Sequence, residues 1–143
     1  VLRADQPLDV IRVFKSEFVV KVRQMLRMAT GINGTGKRAG IEGYSVAGKT
    51  GTSHKTSSAG GYDESRYTAV FAGLAPAVKP RLVTVVVIDE PDGGLHSGGQ
   101  VAAPVFSDVM GNALRLLQVE PDILDDQFSL AKSADLAGHG DDS

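Results

Sequence analysis

The sequence predicts an α+β fold, with three consecutive strands in an antiparallel sheet and two helices packed on it. Apolar residues recur at helical spacing on either side of a stretch rich in β-branched residues, which gives the element order helix, strand, strand, strand, helix. The link from the second strand to the third is only Ala77 to Pro80, which favours antiparallel pairing. Of the 143 residues, 42% are hydrophobic, enough for a core and too many for a disordered chain.

Residues 1–15 read as an irregular lead-in. Ser16 is placed as a helix N-cap with Glu17 in the favoured first turn, and Phe18, Val22, Met25, Leu26 and Ala29 form one apolar face. Gly31 is the expected C-cap, and five glycines in residues 31–43 mark a loop. Tyr44 to about Ser53 is the first candidate strand, followed by a polar loop over 54–65. Tyr67–Ala75 is the second strand, stopped by Pro76. Leu82–Ile88 is almost wholly apolar and β-branched, as a central strand covered on both faces would be. Pro104 fits the first turn of a second helix, which runs to about Gln118 with Phe106, Met110, Ala113 and Leu117 inward and Val105, Val109 and Leu116 widening that face. The last 131–143 read as a disordered tail. Three strands with a buried member look like part of a larger sheet, so the chain is expected to be a fragment.

Composition narrows the function. Fifteen basic and seventeen acidic residues give a net charge of −2, which argues against a general nucleic-acid binder. There is no cysteine, and His54, His96 and His139 have no ligand spacing, so no metal site and no cofactor is expected. No apolar run approaches the ~18–20 residues of a membrane span. Glycine, at 17 residues, is about 12% of the chain against a usual ~7%.

Two motifs overlap where the glycines end. Gly43-Tyr44-Ser45-Val46-Ala47-Gly48-Lys49-Thr50 fits the phosphate-cradling string G-x-x-x-x-G-K-[ST], and Leu82–Ile88 before Asp89-Glu90 resembles its acidic partner strand. That motif needs a strand before it and a helix starting at Lys-Thr, whereas residues 51–61 have poor helix propensity. Lys49-Thr50-Gly51-Thr52 instead matches the K-T-G element of β-lactamases and penicillin-binding proteins, in the expected setting of a strand followed by two more. A lysine there supplies positive charge beside a nucleophile, a glycine lets a substrate backbone approach, threonine hydroxyls bind a carboxylate, and a strand N–H near Thr52 faces a developing oxyanion. Taken singly, Lys49 would be a solvated charge, Thr50 and Thr52 β-formers, and Gly51 a bulge.

Further stretches in the same order carry a family resemblance: the Gly34-Thr35-Gly36 loop, Phe71-Ala72-Gly73-Leu74-Ala75-Pro76, Val85-Val86-Val87-Ile88-Asp89-Glu90-Pro91, and Gly98-Gly99 leading to Ala103-Pro104-Val105-Phe106. Over roughly residues 10–120 the chain resembles the C-terminal half of the transpeptidase domain of a class B penicillin-binding protein, most like the septal, division-specific kind. The resemblance implies a β-lactamase/transpeptidase-like fold, with residues 1–124 the C-terminal part of that domain and 125–143 a disordered tail. It implies a serine D,D-transpeptidase that cross-links peptidoglycan stem peptides through an acyl-enzyme and is acylated by β-lactam antibiotics. Lys49 and Thr52 would be catalytic, Lys49 aiding proton traffic and the Thr52 N–H forming half of the oxyanion hole. Thr50, Gly51, Thr52 and Ser53 would bind substrate.

The family's S-x-x-K and S-x-N boxes do not precede the K-T-G here. The one S-x-x-K string, Ser129-Leu130-Ala131-Lys132, follows it beside the polar tail. The nucleophile is therefore expected on an N-terminal part of the same protein, which becomes this chain's first partner, with division-complex proteins further partners and no nucleic acid. The chain alone is expected to be inactive, and the complete protein to lie on the periplasmic face of the inner membrane. A non-catalytic β-lactamase-like binding or scaffold module is the alternative.

Overall fold

The computed structural model describes residues 11–57 and 60–123. The lead-in at 1–10 and the tail from 124, with Ser129 and His139, lie outside the described residues. Helix α1 (Ser16–Thr30) is followed by a short 3₁₀ turn at Lys37–Ala39. Strands β1 (Ala47–Thr56), β2 (Tyr62–Ala75) and β3 (Leu82–Asp89) form one antiparallel sheet in the order β1-β2-β3, and helix α2 (Gly98–Leu116) closes the described chain.

Strand alternation divides the sheet into two faces of different fate. Phe71, Gly73 and Ala75 stand opposite Thr50, Gly48 and β3's Val86, Thr84 and Leu82 on one face. There Phe71 meets Phe106 of α2 with ring centroids 4.7 Å apart. Phe71, Phe106, Met110 and Leu114 are the large side chains buried completely, and Leu82, Val86 and Ile88 pack against them. A Cβ at Gly73 would sit 2.8 Å from both aromatic rings, so glycine is what admits α2 to this distance. On the other face Val83, Val85 and Val87 are exposed, and α1 buries no residue. A groove of about 720 Å³ runs between the Phe18, Val22 and Leu26 side of α1 and Leu74 of β2.

Several expectations change here. Among the described residues Leu82–Ile88 lies at the sheet edge with one face covered, because β2 with a hairpin on either side takes the middle. Of the apolar face of α1, Phe18, Val22 and Met25 are exposed among the described residues, while Leu26 and Ala29 are half-buried at the end nearer β1. Lys15 rather than Ser16 is the N-cap of α1, and the Ser16 hydroxyl accepts from Arg12 Nη1 at 2.8 Å. The inward stripe of α2 is Phe106, Met110 and Leu114, a strict i, i+4 series, leaving Leu117 and Leu116 exposed. That helix starts at Gly98, so Pro104 lies inside it.

The stretch read as a loop over 54–65 is instead the far end of the β1–β2 hairpin, with a register shift between His54 and Lys55. Ion pairs hold it. Lys55 Nζ lies 2.9 Å from Asp89 Oδ2 and 2.7 Å from Glu90 Oε1, and Arg66 Nε lies 2.7 Å from Asp63 Oδ2. The Ser65 hydroxyl, and next the Arg66 guanidinium, hold the Asp63 carboxyl far below the usual carboxylate range. Lys55, followed by Thr68, lowers Asp89 in the same way. A carboxylate depressed in the folded state contributes stability above its unfolded pKa and loses it as pH falls through the folded value. Asp63→Asn should therefore lower the melting temperature by at most a few degrees at pH 7, and the gap should close as pH is taken well below the unfolded carboxylate range near 4. Thermal melts from pH 7 to pH 2 read this directly. A gap independent of pH would mean that the Asp63 charge is irrelevant.

Candidate active site

Every residue expected in the site lies on β1, whose outer edge no described strand covers. Register splits them between the faces. Thr50 and Thr52, opposite Phe71 and Ala69, are on the α2 side, whereas Lys49, Gly51 and Ser53, opposite Ala72, Val70 and Thr68, are on the bare side. Lys49 is exposed, with its Nζ donating to the Thr50 carbonyl at 2.9 Å. The Ser53 hydroxyl donates to the His54 carbonyl at 3.1 Å. A Cβ at Gly51 would meet only Val70 Cβ, at 3.7 Å, so nothing among the described residues requires glycine there.

The threonines are held from behind. The Thr50 and Thr35 hydroxyls lie 3.0 Å apart, and the Gly98 N–H donates to Thr52 Oγ1 at 3.0 Å. Gly98 rests on the motif backbone itself: a Cβ there would lie 2.2 Å from the Val70 carbonyl oxygen and 2.5 Å from that of Gly51. Gly99 does the same to the Thr35 carbonyl, at 2.2 Å. Gly98 and Gly99 thus let the start of α2 touch β1 and the Thr35 turn, whereas Gly60, Gly61, Gly93 and Gly94 meet nothing within 4 Å. Further along the chain, Ser45 is buried with its amide and hydroxyl both donating to the Asp122 carboxylate, while the Ala77 N–H donates to Ser45 Oγ at 2.8 Å. This ties the segment before β1 to the segment after α2.

The phosphate-cradling reading fails on geometry, because Lys49-Thr50 lies within a strand and no helix starts there. The motif reading named no role for Thr35, whose only signal was a glycine on either side. It also missed an aromatic stack in which His54 lies against Tyr67 at 4.6 Å and Tyr67 against His96 at 4.2 Å. His54 and Tyr67 are register partners, visible once the strands are paired, whereas His96 arrives on a loop.

The family described as penicillin binding protein transpeptidase domain matches residues 3–111. The chain is 42% identical over 124 residues to the peptidoglycan D,D-transpeptidase FtsI of Escherichia coli K12, covering 87% of this chain and 21% of that protein. It is 38% identical over 110 residues to the probable peptidoglycan D,D-transpeptidase PenA of Neisseria gonorrhoeae, covering 77% of this chain and 19% of that one. The solved apo TP domain of Burkholderia pseudomallei penicillin-binding protein 3 is similar in structure, with a TM-score of 0.75 and 42% identity over 87% of this chain and 37% of that chain. The chain therefore spans about a fifth of the length of these curated relatives.

Proposed function

Because the chain belongs to the penicillin binding protein transpeptidase domain family, we propose that it supplies the Lys-Thr-Gly half of a peptidoglycan D,D-transpeptidase active site that serves cell division. The observation that carries the reading is the placement of Lys49-Thr50-Gly51-Thr52 on an uncovered sheet edge, with Lys49 on the bare apolar face. An N-terminal part of the same protein bearing the serine nucleophile packs on that face, over Val83, Val85, Val87 and the α1 groove. Burial of exposed apolar side chains such as these drives association.

In this reading the serine hydroxyl attacks the carbonyl of the D-Ala-D-Ala bond of a stem peptide. The terminal D-Ala leaves with a proton, and the amine of a second stem resolves the ester into a cross-link. The Lys49 ammonium favours loss of the serine proton. The Thr52 N–H stabilises the oxyanion, the Thr50 and Thr52 hydroxyls hold the substrate carboxylate, and Gly51 and Ser53 lie along the peptide. A β-lactam reacts by ring opening and stays on the serine. Division-complex proteins and a periplasmic position at the inner membrane complete the proposal. Among the described residues no helix is long and apolar enough to cross a membrane.

A fluorescent penicillin tests it. The chain by itself should take no covalent label, and the complete domain containing this sequence should take one, on a serine outside the chain. Stoichiometric labelling of Ser129, or none of the complete domain, would overturn the proposal. The second result would favour a non-catalytic binding module.

A further inference from the structure

A cavity of about 580 Å³ lies behind the motif strand, between Thr50 and Thr52, the turn at Gly34–Arg38 and the first turn of α2. Two cations, Lys37 and Arg38, line it. Among the described residues neither is paired with a carboxylate, whereas Lys55 and Arg66, at the other end of the sheet, each have two. The position of Arg38 follows from the sequence. Pro104 has no amide hydrogen, so the carbonyl of Gln100, four residues before it, lacks its helical donor. Arg38 Nη1 approaches that carbonyl at 3.4 Å. One nitrogen anchors the guanidinium, and among the described residues its remaining donors have no partner. Thr35 keys the same turn to β1 through its 3.0 Å contact with Thr50.

We infer that Arg38, assisted by Lys37, is a specificity-determining residue of this site. It supplies the charge that meets the free carboxylate of the acyl donor while Thr50 and Thr52 supply the hydroxyls. The inference rests on the transpeptidase reading and adds residues to it. Its physical basis is charge balance: hydroxyls orient a carboxylate but do not neutralise it, and two unpaired cations beside them raise the local concentration of anions.

The test compares acylation of the complete domain by benzylpenicillin and by its methyl ester, which differ at the carboxylate. The wild type should prefer the acid. In Arg38→Ala the acid-to-ester rate ratio should fall about fivefold to tenfold, as for loss of one partly solvated charge pair. Arg38→Lys should restore most of it, and raising ionic strength should compress the ratio in the wild type more than in the variant. Arg38→Gln, which keeps a donor for the Gln100 carbonyl, covers the case in which Arg38→Ala does not fold, and should show the same loss. An unchanged ratio in a folded Arg38→Ala or Arg38→Gln overturns the inference alone. Absence of wild-type acylation by both compounds overturns the transpeptidase reading and the inference with it.

Discussion

Lys49→Ala in the complete domain should slow acylation by a β-lactam by about 10²–10⁴-fold, the usual contribution of one positioned proton-transfer group. The effect is expected to be large because Lys49 stands alone on its part of the sheet edge. Among the described residues its Nζ has only Thr50 oxygens as partners, at 2.9 and 3.5 Å, so no carboxylate holds the charge. Stability should move little, since the side chain is exposed and takes no part in the Phe71–Phe106 core; surface substitutions of this kind stay within about 0.5 kcal/mol. Stopped-flow acylation and thermal melts on the same preparation separate the two effects. A well-folded variant with an unchanged rate would remove Lys49 from the mechanism.

Gly98→Ala should both destabilise the fold, by about 1–3 kcal/mol, and slow acylation by about 10²-fold. The added Cβ would fall 2.2 Å from one strand carbonyl and 2.5 Å from another, and neither is a flexible group able to give way. The start of α2 must then lift off β1, which costs the Gly98 N–H bond to Thr52 Oγ1 and releases the hydroxyl assigned to the carboxylate. Gly51→Ala is the informative contrast. Its Cβ meets only Val70 at an ordinary distance, so melting should be nearly unaffected while acylation falls through a clash with the ligand. If Gly51→Ala instead lowers the melting temperature and leaves the rate alone, this glycine serves the fold and not the substrate.

The difference between these glycines shows where reading the chain as a string stops. Lys49-Thr50-Gly51-Thr52 was recognisable because its chemistry is laid along one strand, where spacing in sequence is spacing in space. The two helices and three strands were recognisable for the same reason: a 3.6-residue period, a two-residue period and a four-residue link are local. The hairpin beyond His54 escaped because its residues are polar. Only the backbone pairing of Lys55 with Asp63 and Thr56 with Tyr62, past the register shift after His54, makes them a strand end. An apolar β-branched run such as Leu82–Ile88 signals affinity for burial and does not reveal how much cover is present. The same holds for Phe18, Val22 and Met25 of α1. The residues that complete the site lay furthest from view. Thr35 meets Thr50 across 15 positions, Gly98 meets Thr52 across 46, and Arg38 meets Gln100 across 62. Local periods and links thus identify the two helices, the cores of the three strands and the Lys-Thr-Gly motif. Tertiary structure alone decided which side of the sheet is bare, which glycines are contacts, and which cations stand behind the threonines, because those depend on distances between segments that no local period encodes.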